Sequence, residues 1–131
     1  VTFKEVEGGV EIEAHIMGLA PGKHGFHVHE FGDISAADGA SAGGHFNPGG
    51  HEHSAPDMDK RHVGDLGNLE ADANGHATYK RLDKMVAFEG ANLILGRGLV
   101  VHAKADDMKT QPTGDAGGRI AVAVIGVGKA Q

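Results

Sequence analysis

Residues 25–31 read GFHVHEF, a stretch that places two histidines two positions apart. Successive side chains of a β-strand point to opposite faces, so His27 and His29 share one face of the predicted strand. Phe26 and Val28 share the other face, which can enter a hydrophobic core. The stretch therefore predicts a strand that is buried on one side and offers two imidazoles to a metal ion on the other.

The segments around this strand repeat a pattern of short apolar runs separated by turn residues. Gly8-Gly9 and Asn74-Gly75 each lie between two such runs and predict hairpin turns. The predicted strands cover residues 1–7, 10–17, 25–31, 65–71, 76–82, 97–102 and 119–125. Apart from one expected helical turn near residues 106–108, helix signals are few. This pattern predicts an all-β, antiparallel Greek-key sandwich or barrel of the immunoglobulin-like kind, with about seven strands.

Two long loops interrupt the strand pattern, at residues 33–64 and 103–118. About 30 residues without regular structure are improbable inside a compact domain unless something else orders them. The first loop and the residue that follows it carry further candidate ligands, which are His45, His51, His53, His62 and Asp65. A metal ion would order this loop. The triplet at residues 51–53 offers two imidazoles, of which only one is needed.

The histidine and cysteine contents define the kind of metal site that is expected. Ten histidines in 131 residues are well above ordinary usage, and the chain has no cysteine. A metal must therefore be held by nitrogen and oxygen, and imidazoles with a carboxylate are ligands that copper(II) and zinc(II) select. Isolated histidines such as His15, His24 and His76 are expected to be ordinary hydrogen-bonded residues.

The length, the charge and the missing motifs exclude several other classes of protein. The length fits one domain over residues 1–131, and a net charge of −6 with no basic run argues against nucleic acid as a partner. The chain contains no run of about 18 apolar residues, so a membrane-spanning helix is not expected. The motif HExxH is absent, as is a GxGxxG between a strand and a helix. The chain starts at Val1 without a signal-peptide pattern, so we expect a soluble protein, either cytoplasmic or exported after removal of a leader.

Five segments from residue 25 onward carry a family resemblance. They are GFHVHEFGD at 25–33, SAGGHFNP at 41–48, RHVGDLGN at 61–68, LVVHAKADD at 99–107 and TGDAGGR at 113–119. In order and in spacing they resemble the signature segments of copper/zinc superoxide dismutases, which share the immunoglobulin-like sandwich architecture. The resemblance implies an enzyme that converts superoxide to oxygen and hydrogen peroxide by cycling copper between its two oxidation states.

The resemblance also implies a role for individual residues. The implied copper ligands are His27, His29, His45 and His102, and the implied zinc ligands are His45, His53, His62 and Asp65. His45 would then bridge the two metals and, together with Arg119 beside the copper, take part in catalysis. Asp106 would hydrogen-bond one histidine of each metal and orient both rings. Thr113 would flank the channel in which Arg119 lies beside the copper. His24 and Gly43 would fall on structural positions of the family.

Three features depart from the family pattern. The family's disulfide would join positions near Gly39 and Val122, neither of which is cysteine, and the second loop is shorter. The strand that precedes Val1 in the family has no counterpart, which would leave an unpaired sheet edge open to a second chain, so a homo-oligomer is one expected arrangement. A non-enzymatic copper/zinc-binding or copper-delivery module is the alternative function. The complete ligand set and Arg119 favour the enzyme.

Overall fold

A computed structural model describes residues 1–129, and within them almost all regular structure is β-sheet. The seven strands are β1 (Thr2–Val6), β2 (Gly9–Ile16), β3 (Gly22–His29), β4 (Asp65–Ala71), β5 (Ala77–Asp83), β6 (Gly98–His102) and β7 (Arg119–Val124). Two short 3₁₀ turns cover Ala40–Ala42 and Gly90–Asn92. The predicted all-β class and the number of strands are confirmed. Among residues 1–129 no helix has the length and apolar character that a bilayer span requires.

All strand pairs are antiparallel, and the sheet order is β1-β2-β5-β4-β3-β6-β7. Strands β2 and β3 are consecutive in the chain but not adjacent in the sheet, which is consistent with the Greek-key arrangement. Strands β4 and β5 pair only at Ala71 and Ala77, so the sheet curls and divides there into two parts. Apolar side chains from both parts form one core.

Strand β3 divides its side chains between the core and the opposite face, as its alternation predicts. Phe26 and Val28 are fully buried in the core. His27 and His29 lie on the opposite face and are also fully buried, because the loops cover that face. A shift of register between Gly25 and His27 marks a bulge in this strand. One face of β3 therefore packs in the hydrophobic core, and the other face carries two buried histidines.

The expected helical turn at residues 106–108 is wrong. The side chain of Asp106 accepts a hydrogen bond from Met108 N at 2.7 Å, and Met108 has a φ of 63°, in the left-handed region. The chain therefore turns around the carboxylate, because a short side-chain acceptor can replace the backbone bond that a helix would need.

The first loop returns to the sheet before it reaches the ligand-rich segment. Phe31 N donates to Ala42 O at 2.9 Å, and Phe46 N donates to Val28 O at 2.8 Å. Earlier in the loop, a Cβ built on Gly39 would lie 2.8 Å from Val122 Cγ2, so these two positions are in contact. The two positions at which the resemblance places a disulfide are thus adjacent, although neither is cysteine. Packing and hydrogen bonds hold the loop instead.

Candidate metal centre

Four histidines from β3, the first loop and the end of β6 form a buried cluster, here called the four-histidine group. Its members are His27, His29, His45 and His102, with one ring nitrogen of each lying within 4.8 Å of the others. The nitrogens without a hydrogen-bond partner among the described residues are Nδ1 of His27 and Nε2 of the other three. Buried polar atoms are nearly always paired. Four such lone nitrogens in one place fit a metal ion as their common partner.

The opposite ring nitrogen of three of these histidines donates a hydrogen bond, which fixes the tautomer of each ring. The bonds are His27 Nε2 to Asp106 Oδ2 at 2.7 Å, His29 Nδ1 to Gly43 O at 2.8 Å and His102 Nδ1 to Gly117 O at 3.1 Å. Because the proton lies on the donating nitrogen, the nitrogen that faces the group carries a lone pair. That is the form of imidazole that binds a metal ion.

A second cluster adjoins the first and is here called the three-histidine–aspartate group. It comprises His45, His53, His62 and Asp65, all buried. Asp65 Oδ1 lies 3.0 Å from Nδ1 of His45, 2.7 Å from Nδ1 of His53 and 3.4 Å from Nδ1 of His62. The Nδ1 atoms of His45 and His62 are 3.1 Å apart. Three imidazoles and one carboxylate at this spacing are the closed donor set of a tetrahedral zinc site.

His45 belongs to both groups. Its Nδ1 faces Asp65, and its Nε2 is one of the four buried nitrogens without a partner. One ring therefore connects the two groups. All the ligands implied by the resemblance are brought together in this way.

Asp106 connects the two groups a second time, from outside them. Its Oδ2 accepts from His27 Nε2 at 2.7 Å and its Oδ1 accepts from His53 Nε2 at 2.8 Å. Its backbone is held in turn by Asn68 on β4, whose Oδ1 accepts from Asp106 N at 2.7 Å and whose Nδ2 donates to Asp106 O at 3.0 Å. No role was predicted for Asn68 from the sequence. A polar amide inside a strand was the available signal.

A buried arginine supports the loop that carries His62. Arg61 is 1% exposed, and its guanidinium hydrogen-bonds the Asp83 carboxylate and several backbone carbonyls. No role was predicted for Arg61 from the sequence either. Its position directly before a candidate ligand was the only local signal.

Burial and hydrogen bonding set the charge of the centre. Burial lowers the pKa of His27 to about 3 and that of His29 to about 2, so both rings are neutral near pH 7. Burial also lowers the pKa of His53, but hydrogen bonds to Asp106 and Asp65 outweigh it and raise the pKa to about 9. Burial by itself raises the pKa of the Asp65 and Asp106 carboxyls. The hydrogen bonds from the imidazoles outweigh burial and hold both pKa values below their usual range.

Arg119 lies at the start of β7 beside the four-histidine group. Its Nη1 donates to Gly39 O at 2.6 Å. Arg119 is the register partner of His102 across β6 and β7. Burial is the largest cause of the lowered pKa of His29 and of His102, and the positive charge of Arg119 lowers both further. A cation therefore stands next to the four-histidine group.

The remaining histidines lie outside both groups. His51 is exposed, and its backbone is held by the side chain of Asn47. His15 and His76 are exposed. His24 is buried with its ring between Ala20 O and His102 O, in keeping with the structural position that the resemblance implies.

An all-β Greek-key fold with two adjoining histidine-rich groups defines a binuclear metalloprotein. A family model described as copper/zinc superoxide dismutase matches residues 1–125. The superoxide dismutase [Cu-Zn] of Paramecium bursaria Chlorella virus 1 is 50% identical over 137 aligned residues, covering 98% of this chain and 72% of that protein. The crystal structure of the clock protein EA4 superposes with a TM-score of 0.90 at 44% identity, over 95% of this chain and 83% of the other. The chain belongs to the copper/zinc superoxide dismutase family.

Proposed function

We propose that this chain converts superoxide to oxygen and hydrogen peroxide, with copper held by the four-histidine group and zinc by the three-histidine–aspartate group. The observation that supports this most directly is the set of four buried imidazole nitrogens without a partner. In the reaction, two superoxide anions and two protons give one oxygen and one hydrogen peroxide. Copper supplies the one-electron redox chemistry, and the closed donor set around zinc is typical of a structural site.

The four imidazoles offer a redox ion nitrogen ligands whose orientation is already fixed. Gly43 O and Gly117 O hold His29 and His102 through their Nδ1–H groups. Gly43 has a φ of 73°, which glycine adopts at little cost, so the carbonyl can point at the ring. Because backbone carbonyls hold these two rings and Asp106 holds His27, little of the protein needs to rearrange when the charge of the centre changes.

His45 and Arg119 are the residues we propose for catalysis. His45 Nε2 faces the four-histidine group and can hold a proton there whenever it is not a ligand, which gives the reduced anion a proton source. Arg119 places a positive charge beside the same group and attracts superoxide. Attraction must be local, because the chain as a whole carries a net charge of −6.

Metal analysis combined with a superoxide-consumption assay tests this function. We expect one copper and one zinc for each wild-type chain, together with fast turnover. His102→Ala removes a ligand of the four-histidine group only and should abolish copper binding and activity, whereas His62→Ala should abolish zinc binding. His76→Ala changes an exposed histidine outside both groups and is the matched control. Full activity without copper would contradict the proposal, and copper binding without superoxide consumption would favour a copper-delivery module.

We also propose that the chain self-associates through an exposed apolar patch formed by Phe31, Leu95 and Val124. The three are 51%, 41% and 47% exposed. They lie on neighbouring segments of the chain, because Gly32, next to Phe31, is in contact with the backbone of Gly96, next to Leu95, and a Cβ on Gly32 would contact the side chain of Val124. Exposed apolar patches commonly mark protein interfaces, and a two-fold contact between copies is the most frequent kind.

Light scattering over a range of concentrations tests the self-association. Val124→Glu should give a monomer, while Met17→Glu, at a separate exposed site, should behave as the wild type. A wild type that stays monomeric at every concentration would contradict the proposed association and leave the enzymatic proposal intact.

A further inference from the structure

The loop between β6 and β7 holds the backbone of His53 through a single side-chain amide. Gln111 Oε1 accepts from His53 N at 2.7 Å, and Gln111 Nε2 donates to His53 O at 2.8 Å. Among residues 1–129 no other group hydrogen-bonds either of these backbone atoms. Gln111 thus pairs with His53 as a neighbouring strand would pair with a residue inside a sheet.

This contact matters because no regular structure positions His53. The residue lies in the first loop, between the ends of β3 and β4, and is outside any strand or helix. Its ring is held by Asp65 Oδ1 at Nδ1 and by Asp106 Oδ1 at Nε2. Those two bonds orient the ring. The next residue is held by a bond from Ser54 N to Asp65 Oδ2 at 3.0 Å, but the backbone N and O of His53 itself are bonded by the amide of Gln111.

The turn that presents Gln111 is itself braced. The carboxylate of Asp107 accepts from Lys109 N at 2.9 Å and from Thr110 N at 2.8 Å, and Gly114 N donates to Thr110 O at 2.7 Å. Gln111 Nε2 also donates to Lys109 O at 3.1 Å, so the side-chain amide is held by the backbone of its own turn as well. A braced turn can hold the backbone of the other loop at a defined distance.

The same turn packs directly on the hydrogen bond between His53 and Asp106. Gly114 has a φ of 75°, and a Cβ built there would lie 2.7 Å from His53 Nε2 and would collide with Asp106 Oδ1. The loop between β6 and β7 therefore meets His53 from two sides, at its backbone through Gln111 and at its ring through Gly114.

We propose that Gln111 is a positioning residue for His53 and sets how tightly the three-histidine–aspartate group holds zinc. The side-chain hydrogen bonds of Gln111 go to the backbone of His53 and of Lys109 and to no ligand atom of either group, so its effect on the group is transmitted through His53. The inference rests on the proposed function to the extent that zinc is the ion of this group. Residues that orient metal ligands in this way usually contribute between about 10-fold and about 100-fold to metal affinity.

Two substitutions at Gln111 and one elsewhere test this role. Gln111→Met keeps the length of the side chain and removes both hydrogen bonds. Gln111→Glu keeps the acceptor for His53 N and places an oxygen where the donor to His53 O was. Asn47→Leu is the matched control, because Asn47 holds the backbone of His51 with the same pair of bonds, at 3.0 Å and 2.9 Å, and His51 belongs to neither group.

The measurement is the zinc(II) affinity of the metal-free protein, determined by competition with a chromophoric chelator in the absence of copper. We expect about a 10-fold loss or more for Gln111→Met, a loss for Gln111→Glu as well, and a change of less than about 2-fold for Asn47→Leu. The visible spectrum of the cobalt(II)-substituted protein should change for the Gln111 variants only, because it reports the arrangement of the ligands rather than overall stability.

Three results would overturn the proposal. One is a Gln111→Met protein that binds zinc as tightly as the wild type. Another is an equal loss in Asn47→Leu, which would indicate general loosening of the first loop. A wild type that binds no zinc would overturn the proposed function together with this inference, whereas the first two results leave the proposed function standing. Should Gln111→Met fail to fold, unchanged zinc affinity in Gln111→Glu would count against the inference in the same way.

Discussion

Arg61 and Asp83 form a buried ion pair in which Arg61 Nη2 lies 2.8 Å from both carboxylate oxygens of Asp83. Arg61 directly precedes His62, and Asp83 is the last residue of β5. The pair therefore ties the loop that carries part of the three-histidine–aspartate group to the sheet. The guanidinium also donates to the backbone oxygens of Pro56, Val63 and Asp65. A charged pair inside the protein, in addition to apolar packing, fixes this loop.

Replacing Arg61 with methionine should destabilise the protein strongly. The substitution keeps much of the volume but leaves the Asp83 carboxylate buried with only Arg81 as a counter-charge. We expect the free energy of unfolding to fall by about 3 kcal/mol, as is usual when one partner of a buried pair is lost. Urea unfolding of the metal-free protein measures it. Asp57→Asn, at an 88% exposed carboxylate paired with Arg81, should have no measurable effect. Equal stability of the two variants would contradict this explanation.

The contribution of the same pair should depend on pH. Burial alone raises the pKa of Asp83, but the charge of Arg61 and the hydrogen bonds to the carboxylate lower the pKa overall. Since the folded pKa lies below the unfolded value of about 3.9, the stabilisation is complete above that value and is lost as the pH falls below it. The difference in unfolding free energy between the wild type and Asp83→Asn should therefore shrink below about pH 4. A difference that stays constant from neutral to acid pH would show that ionisation of Asp83 is not its cause.

Asp106→Asn should weaken metal binding at one group or both. Two imidazole N–H groups, on His27 and His53, each need an acceptor, and an amide offers only one oxygen. The other imidazole would face an NH₂ group and lose its orientation. We expect metal affinity to fall by about 10-fold to about 100-fold at the affected group, measured by native mass spectrometry during chelator titration. Asp72→Asn is the control, because that exposed carboxylate bonds only the backbone of its own turn between β4 and β5. If Asp106→Asn retains both metals as the wild type does, Asp106 does not orient the rings of His27 and His53 for metal binding.

Gly114→Ala should disturb the centre although alanine is small. The added methyl group would collide with Asp106 Oδ1, and the φ of 75° disfavours any side chain. We expect a lower melting temperature and weaker zinc retention. Gly118→Ala, where a Cβ meets nothing within 4 Å and φ is not in the left-handed region, should match the wild type in both measurements. If the two variants behave alike, the close approach at Gly114 has no functional consequence.

Much of the fold follows from local patterns. Alternation along residues 25–31 predicted which side chains of β3 enter the core, and the Asn74-Gly75 turn lies between β4 and β5 as expected. These predictions succeed because strand alternation and turn geometry depend on neighbouring residues. The helical turn at residues 106–108 failed because the carboxylate of Asp106 bonds the backbone there, which a residue pattern does not reveal.

The ligand sets came from the resemblance of five segments, and the structure brings the same residues together into two groups that share His45. Their metal-binding roles remain predictions that the experiments above test. The residue pattern alone left the choice between His51 and His53 open, and the resemblance implied His53. The folded loop brings His53 to Asp65 and Asp106, while His51 is exposed.

The sequence by itself determined the strand pattern, the nitrogen and oxygen chemistry of the ligands in a chain without cysteine, and the family. Tertiary structure alone decided what holds those ligands in place. Asn68 holds Asp106 across 38 positions and Gln111 holds His53 across 58. Both bonds form only once the loops have folded back onto the sheet. A hydrogen bond forms only when donor and acceptor lie about 3 Å apart, to within a few tenths of an ångström, and no local pattern of residue types encodes such a distance between groups far apart in the chain.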